Sequence, residues 1–435
     1  MLNKLAFILI CATPILATLL YGAVHQPVIA AFYLSIVLLV FLLAADGWRI
    51  GNVRVSRSYL QLPIWLLGVY ALIQIIPFGG AGTISLDPHS TKLTAIHIFA
   101  VALFFSAALV TFDSFARLRK VANVVTAFGF VYAFYAILQS VLSPDAIYGV
   151  YKPQSVPFGS FVNRHDFAAI VEMTIAVPLG MIFTGSVARD RRLIYGVAVA
   201  VMGTSLLLSG SRGGLVALVA EVILLVMLTS RTQGTRNLVL KLGLSAALIL
   251  SAVGGAIFVG GDTSLTRFGD AVGSENFSSS RTHIWGVTAG VIGQNMPLGA
   301  GLGAFTQAYA AVATSSGALR VDQAHNDYLQ VLADAGLIGL ILGGAFLFWF
   351  FREGIRNAAA NNIPRRGIAV GAFAGCFAVL VHSLFDFVLH ITAVSLMFVL
   401  LLALLVAAGS EYEDDEREEI PRRRKPNVTP IGRRA

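Results

Sequence analysis

Three short stretches carry the residue types that work at a phosphate and a hydroxyl would need. "SGSRGG" (residues 209–214) sets Arg212 among glycines, "SSSRTHIW" (278–285) presents Arg281, and "AHNDY" (324–328) places His325, Asn326 and Asp327 side by side. Paired guanidiniums suit a diphosphate, because each planar fork can bind two oxygens at once. Glycines beside Arg212 would let a bulky phosphate approach the backbone, and a helix starting there would add the positive end of its dipole. His325 could take the proton of a sugar hydroxyl, with Asn326 or Asp327 orienting the ring. Each residue also has a plainer reading: Arg212 reaching to lipid headgroups, Arg281 on a solvated face, His325 structural at a helix mouth.

Other polar residues sit in apolar surroundings. "GSFVNRHDF" (159–167) offers Arg164 and His165 as acceptor or phosphate contacts. "HSLFDFVLH" (382–390) spaces His382, Asp386 and His390 at i, i+4 and i+8, one face if a helix runs over 366–388. They would form either a proton network beside His325 or an internal hydrogen-bond ladder. Glu172 and Glu221 lie deep in apolar stretches, where charge is costly and faces the protein interior. Each is read as a structural partner or a catalytic group.

The elements that must position these groups are membrane spans. The chain is 57% hydrophobic, 12% charged and has a mean hydropathy of +0.78, outside the range of soluble domains. The reading is an all-α polytopic membrane protein of about twelve transmembrane helices: 5–23, 28–45, 60–77, 93–112, 121–143, 166–186, 193–208, 213–230, 240–260, 326–350, 366–388 and 391–408. Residues 5–23 carry no small-x-small cleavage pattern and count as the first span. Of the 31 Lys and Arg, only Lys92, Lys152, Arg164, Arg212, Arg267, Arg281 and Arg320 fall in alternate loops. The basic excess marks the other side as cytoplasmic, with both termini there. The net charge of +8 thus reports topology and contact with anionic membrane lipids, and no nucleic acid is expected. Cys11 and Cys376 fall inside expected helices and indicate neither a disulfide framework nor a metal site.

Organisation follows from the loops. Spans fill 1–260, a long outward segment fills 261–325, spans resume over 326–408, and 409–435 reads as a disordered cytoplasmic tail. In the long segment Ser280 can cap a helix with apolar positions Ile284, Val287 and Val291 or Ile292, ending before Pro297. That pattern reads as an amphipathic helix on the outer membrane surface. "GAGLGA" (299–304) has a loose dinucleotide-binding spacing but no preceding strand, and is read as a flexible turn. Gly336 and Gly339 would let the span at 326–350 pack closely on a neighbour.

Taken together, "LSGSRGG", "SRTHIW" followed by "PLGAGLGAF", and "HNDYLQVLADAGLIGL", in that order and with a long outward loop before the last, resemble the bacterial O-antigen ligase and polymerase superfamily. The resemblance covers roughly residues 155–345 and the overall topology. It implies a GT-C-like membrane glycosyltransferase of the bacterial inner membrane, working at the periplasmic face without metal or other cofactor. The implied donor is an undecaprenyl-diphosphate-linked glycan, and the implied acceptor a sugar hydroxyl on lipid A core. Carried over, Arg212 and Arg281 match the diphosphate ligands and His325 the general base or acceptor-positioning residue. A polymerase would use the same donor with a lipid-linked glycan acceptor, and "HSLFDFVLH" has some likeness to exopolysaccharide polymerases. A secondary transporter fits less well, for the chain shows no internal repeat. A lipid-binding scaffold would need the arginines but not His325.

Overall fold

The computed structural model describes residues 1–52, 54–77, 82–230, 243, 275–314 and 320–409, with 275–280 as backbone only. The expected span at 240–260, the start of the long segment, the Ser280 side chain and the tail from 410 onward lie outside the described residues.

Among the described residues the regular structure is helical: α1 Leu2–Leu19, α2 Gln26–Ile50, α3 Gln61–Gln74, α4 Pro88–Thr111, α5 Phe115–Leu142, α6 Arg164–Thr184, α7 Arg192–Ser209, α8 Arg212–Ser230, α9 Glu275–Asn295, α10 Phe305–Val312, α11 Asp327–Ala358, α12 Ile363–His382 and α13 Thr392–Ala408. Nine of these segments are long and apolar enough to cross a membrane; α3 and α13 are apolar but shorter. The chain is therefore a multi-pass helical membrane protein. The helix starts follow local chemistry. Asp87, Asn163, Asn326 and Asn362 each accept a backbone N–H of the first turn of α4, α6, α11 and α12, which satisfies donors a helix start leaves open.

α6 and α12 form the centre. Their apolar windows are 94% and 78% buried, against 22% for α2, so α2 is a lipid-facing helix and these two are not. They touch backbone to backbone: a methyl group on Gly180 of α6 would lie 2.3 Å from the Gly371 nitrogen of α12. Small residues permit that approach where dispersion must hold helices together.

Two expectations are corrected here. The span expected over 366–388 stops at His382, so His382, Asp386 and His390 do not share a helix face; Val388–His390 is a single 3-10 turn. The carbonyls that follow are taken by the start of α11. Asp327 N–H donates to Ser383 O (2.9 Å) and the Asn326 side chain to Leu384 O (2.8 Å). Secondly, Gly336 and Gly339 are not a helix-packing seam. α11 breaks at Gly336, which holds φ 56° and ψ −142°.

The break is filled by the "GAGLGA" loop, which is consequently no flexible turn. Leu337 N–H donates to Pro297 O (2.8 Å), Ala300 N–H to Ala333 O (2.8 Å) and Gly301 N–H to Asp334 O (3.0 Å). Gln74 of α3, fully buried, completes the junction: its amide donates to Leu298 O (3.2 Å) and Asp334 O (3.0 Å) and accepts from Leu302 N–H (2.9 Å). Irregular backbone at this depth survives only when its polar groups are satisfied from within. The expected seam of α9 is present, although the helix begins at Glu275, before Ser280. Ile284, Val287, Val291 and Ile292 pack with Phe305, Tyr309, Ala324 and Leu329, so the seam is covered by α10 and α11 and does not lie on lipid.

Candidate functional site

Asp386, in the turn after α12, is the residue on which the site converges. Its Oδ1 lies 3.1 Å from His325 Nδ1, and its Oδ2 accepts from Arg281 Nη2 at 3.0 Å. His165 Nδ1 stands 3.8 Å from the same Oδ2 and 2.9 Å from Ser211 Oγ. Arg281 Nη1 also donates to the Phe385 carbonyl. Five chain regions thus meet: the start of α6, the α7–α8 turn, α9, and the facing turns at 325 and 386. The Asp386 side chain is 2% exposed and that of His325 33%, so the carboxylate is buried and the imidazole reaches outward.

The electrostatics agree with this arrangement. Burial alone would raise the Asp386 carboxyl, but the hydrogen bond from His325 and the charges of His165, Arg281 and His325 outweigh it and hold it well below the ordinary 3.8. Burial pulls Arg281 down from its ordinary value, Asp386 opposes that, and the nearby Arg212 charge adds to it. His325 itself sits in left-handed backbone, φ 50°, with its ring edge-on to Phe387 at 4.9 Å. Non-glycine residues are held there only where the surroundings over-determine them, and such residues cluster at functional sites.

The neighbours of His325 do other work. Asn326 caps α11 through Tyr328 and Leu329 N–H, both at 3.0 Å. Asp327 turns to His390 Nδ1 (2.7 Å) and accepts Leu389 N–H (3.2 Å). Two His–Asp pairs therefore strap the 325–327 segment crosswise to 386–390. His382 Nδ1 meets Glu172 at 2.9 Å, both fully buried. Glu221, also fully buried, has neither carboxylate oxygen partnered among the described residues.

The glycines around Arg212 serve packing. A side chain on Gly213 would lie 2.7 Å from His382 Cδ2, and one on Gly214 2.9 Å from Ala168 Cβ and Glu172 Oε1. Gly210, φ 64°, ends α7 and lies beside Arg164 Nη1. The space expected for an incoming phosphate at Gly213 and Gly214 is filled by α6 and α12. What these glycines do is seat the start of α8, and with it Arg212, against the site.

His165, His382 and Asp386 bring one ligand atom each within 4.8 Å of one another, a spacing that could hold a metal ion. Their other contacts point elsewhere. Arg281 already supplies the positive charge at Asp386, and Glu172 occupies His382 Nδ1. Ser211, Gln74 and Asp334 were not legible as site or support residues beforehand. A lone Gln in the apolar run of α3 was the available signal.

Among the described residues an arginine, a buried carboxylate and a half-exposed histidine are gathered within a multi-pass helical bundle, which defines the class as polytopic helical membrane proteins with a charged cluster. Within that class, residues 197–343 match the family model described as O-antigen ligase, a stretch that contains Arg212, Arg281 and His325. The match supports, over that stretch, the resemblance to the O-antigen ligase superfamily. No curated protein matches it.

Proposed function

We propose that the protein is an O-antigen ligase-type glycosyltransferase of the bacterial inner membrane. It would move a glycan from undecaprenyl diphosphate to a sugar hydroxyl of lipid A core at the periplasmic face. The observation that carries this reading is the His325–Asp386–Arg281 chain, which puts a proton acceptor and a guanidinium on two oxygens of one buried carboxylate. Asp386 orients both; His325 takes the acceptor hydroxyl proton; the oxygen attacks the anomeric carbon; the bond from that carbon to the phosphate oxygen breaks; and undecaprenyl diphosphate leaves with the electron pair. Arg212 and Arg281 stabilise the charge that develops on the leaving diphosphate, at about 3 kcal/mol per donor. The lipid diphosphate is already an activated leaving group, so the reaction requires neither ATP nor a metal. Arg164 and His165 frame the same corner as donor or acceptor contacts, and His382, fully buried on Glu172, supports it from behind.

The test is reconstitution with undecaprenyl-diphosphate-linked oligosaccharide, with and without lipid A core, read on a gel. Glycan on lipid A core is the expected product. A ladder of longer lipid-linked chains formed without that acceptor would make the protein a polymerase.

A further inference from the structure

A second feature of the fold lies apart from the arginines. Tyr21, in the turn after α1, is the hub of four rings: its centroid is 5.4 Å from His25, 5.8 Å from Tyr148 and 5.4 Å from Tyr151, all edge-on, and His25 meets Tyr151 at 5.7 Å. Tyr148 also stacks on Tyr135. Tyr148 is 43% and Tyr151 38% exposed, so the cluster is not a closed core.

Its backbone is unusual. Among the described residues four non-glycines have left-handed φ, and three are here: Tyr21 (59°), Ala23 (55°) and Tyr148 (55°); the fourth is His325. Such a conformation is unfavourable for a residue with a side chain and persists because its surroundings impose it. The anchors are visible. Tyr148 donates its hydroxyl to the Leu19 carbonyl, and Gly22 is packed so tightly that a methyl group there would lie 2.4 Å from Phe161 and 3.4 Å from Ile391. Ile391 follows His390, whose ring bonds Asp327, two residues from His325. The segment that straps His325 in place therefore also seats the turn carrying Tyr21.

We infer that Tyr21, His25, Tyr148 and Tyr151 form a saccharide-binding platform that holds sugar rings of the glycan beyond the reacting one. The inference rests on the proposed transferase reading. Aromatic faces carry negative potential and attract the polarised C–H groups of a pyranose face, while phenol and imidazole edges offer hydrogen bonds to its hydroxyls. An interfacial aromatic belt, the competing use of exposed tyrosines, sets amphipathic rings at headgroup level. Here the Tyr148 hydroxyl is turned to a backbone carbonyl, and the rings brace one another in positions that cost backbone strain.

The probe is the oligosaccharide released by mild acid from the lipid-linked glycan pool of the source cells, with binding to the full chain in nanodiscs followed by saturation-transfer NMR. Wild type and Tyr151→Phe should bind; Tyr151→Ala and Tyr21→Ala should bind on the order of tenfold more weakly, with thermal unfolding compared alongside Tyr59→Ala, an exposed tyrosine stacked on Trp349. No binding to wild type, or equal binding by wild type and Tyr151→Ala, overturns the platform. In the transfer assay, KM for a multi-repeat donor should rise with kcat held. A lower kcat with KM unchanged would make the tyrosines structural and also overturn it. Wild type that binds the oligosaccharide but transfers none from the lipid diphosphate would refute the proposed reaction and leave the platform standing.

Discussion

Asp386 is the residue whose charge the rest of the site is arranged around, so substitutions there should be the most informative. Asp386→Asn keeps the shape but removes the charge that orients His325 and pairs with Arg281, and turnover should fall on the order of 100-fold. Arg281→Lys should not rescue Arg281→Ala, because a point ammonium cannot reproduce the planar fork that meets both Asp386 and the Phe385 carbonyl; near-normal turnover of the lysine variant would contradict the geometry. The pH behaviour has a definite sign. A carboxyl held below its unfolded value contributes stability that is complete above about pH 4 and is lost only as pH falls through the lower folded value. Asp386 should therefore stay ionised throughout pH 5–8, and direct titration of its carboxyl within that range, followed by carboxylate infrared absorption lost in Asp386→Asn, would refute the assignment. His390 runs the other way. Burial lowers it, but the hydrogen bond to Asp327 and the Asp327 and Asp334 charges outweigh burial and raise it above 6.5. Its contribution is complete below that value and lost as pH rises through the folded one. Thermal unfolding in detergent should show wild type losing stability more steeply than His390→Gln as pH rises above about 6.5.

At the scale of elements, the junction between the broken α11 and the loop at 297–304 does the positioning. Gly336→Ala would force a Cβ to 2.2 Å from Pro297 O in a backbone region that side chains avoid. Loss of at least about 3 kcal/mol, seen as poor recovery of folded protein, is the expected result. Gly343→Ala, with nothing within 4 Å of its Cβ, should be neutral or stabilising by up to about 1 kcal/mol. Gln74→Leu would leave Leu302 N–H without its partner, while Leu298 O keeps the Tyr70 hydroxyl and Asp334 O keeps Gly301 N–H; the expected cost is about 1–3 kcal/mol for the orphaned buried group. This junction also shows where the sequence stops being legible. Of the twelve expected spans, nine coincide with helices long and apolar enough to cross a membrane, two fall on the shorter α3 and α13, and 240–260 lies outside the described residues; hydropathy finds such helices because lipid imposes a uniform demand on every crossing helix. It placed Arg212, Arg281 and His325 at one end for the same reason. It misread 382–390 as helix and "GAGLGA" as a free turn, since both are shaped by hydrogen bonds to residues far away in the chain. Asn326 and Asp327 looked like partners of His325 because they adjoin it in sequence, whereas the partner is 61 residues on.

For the molecule as a whole, we propose an orientation from the distribution of the basic residues. With the termini cytoplasmic, a Lys152→Cys protein should react with an impermeant maleimide from the periplasmic side, and Arg191→Cys only after permeabilisation; both positions are exposed, while native Cys376 is buried and Cys11 half-buried. The reverse pattern would move the site to the cytoplasmic face and remove the proposed donor. The central claim is that one end of this bundle transfers a glycan from a lipid diphosphate with His325 as base. Its most direct test is single-turnover transfer by His325→Ala in proteoliposomes, with donor binding measured on the same sample. Binding retained and transfer slowed at least about 100-fold is the predicted result; transfer at the wild-type rate would contradict the account.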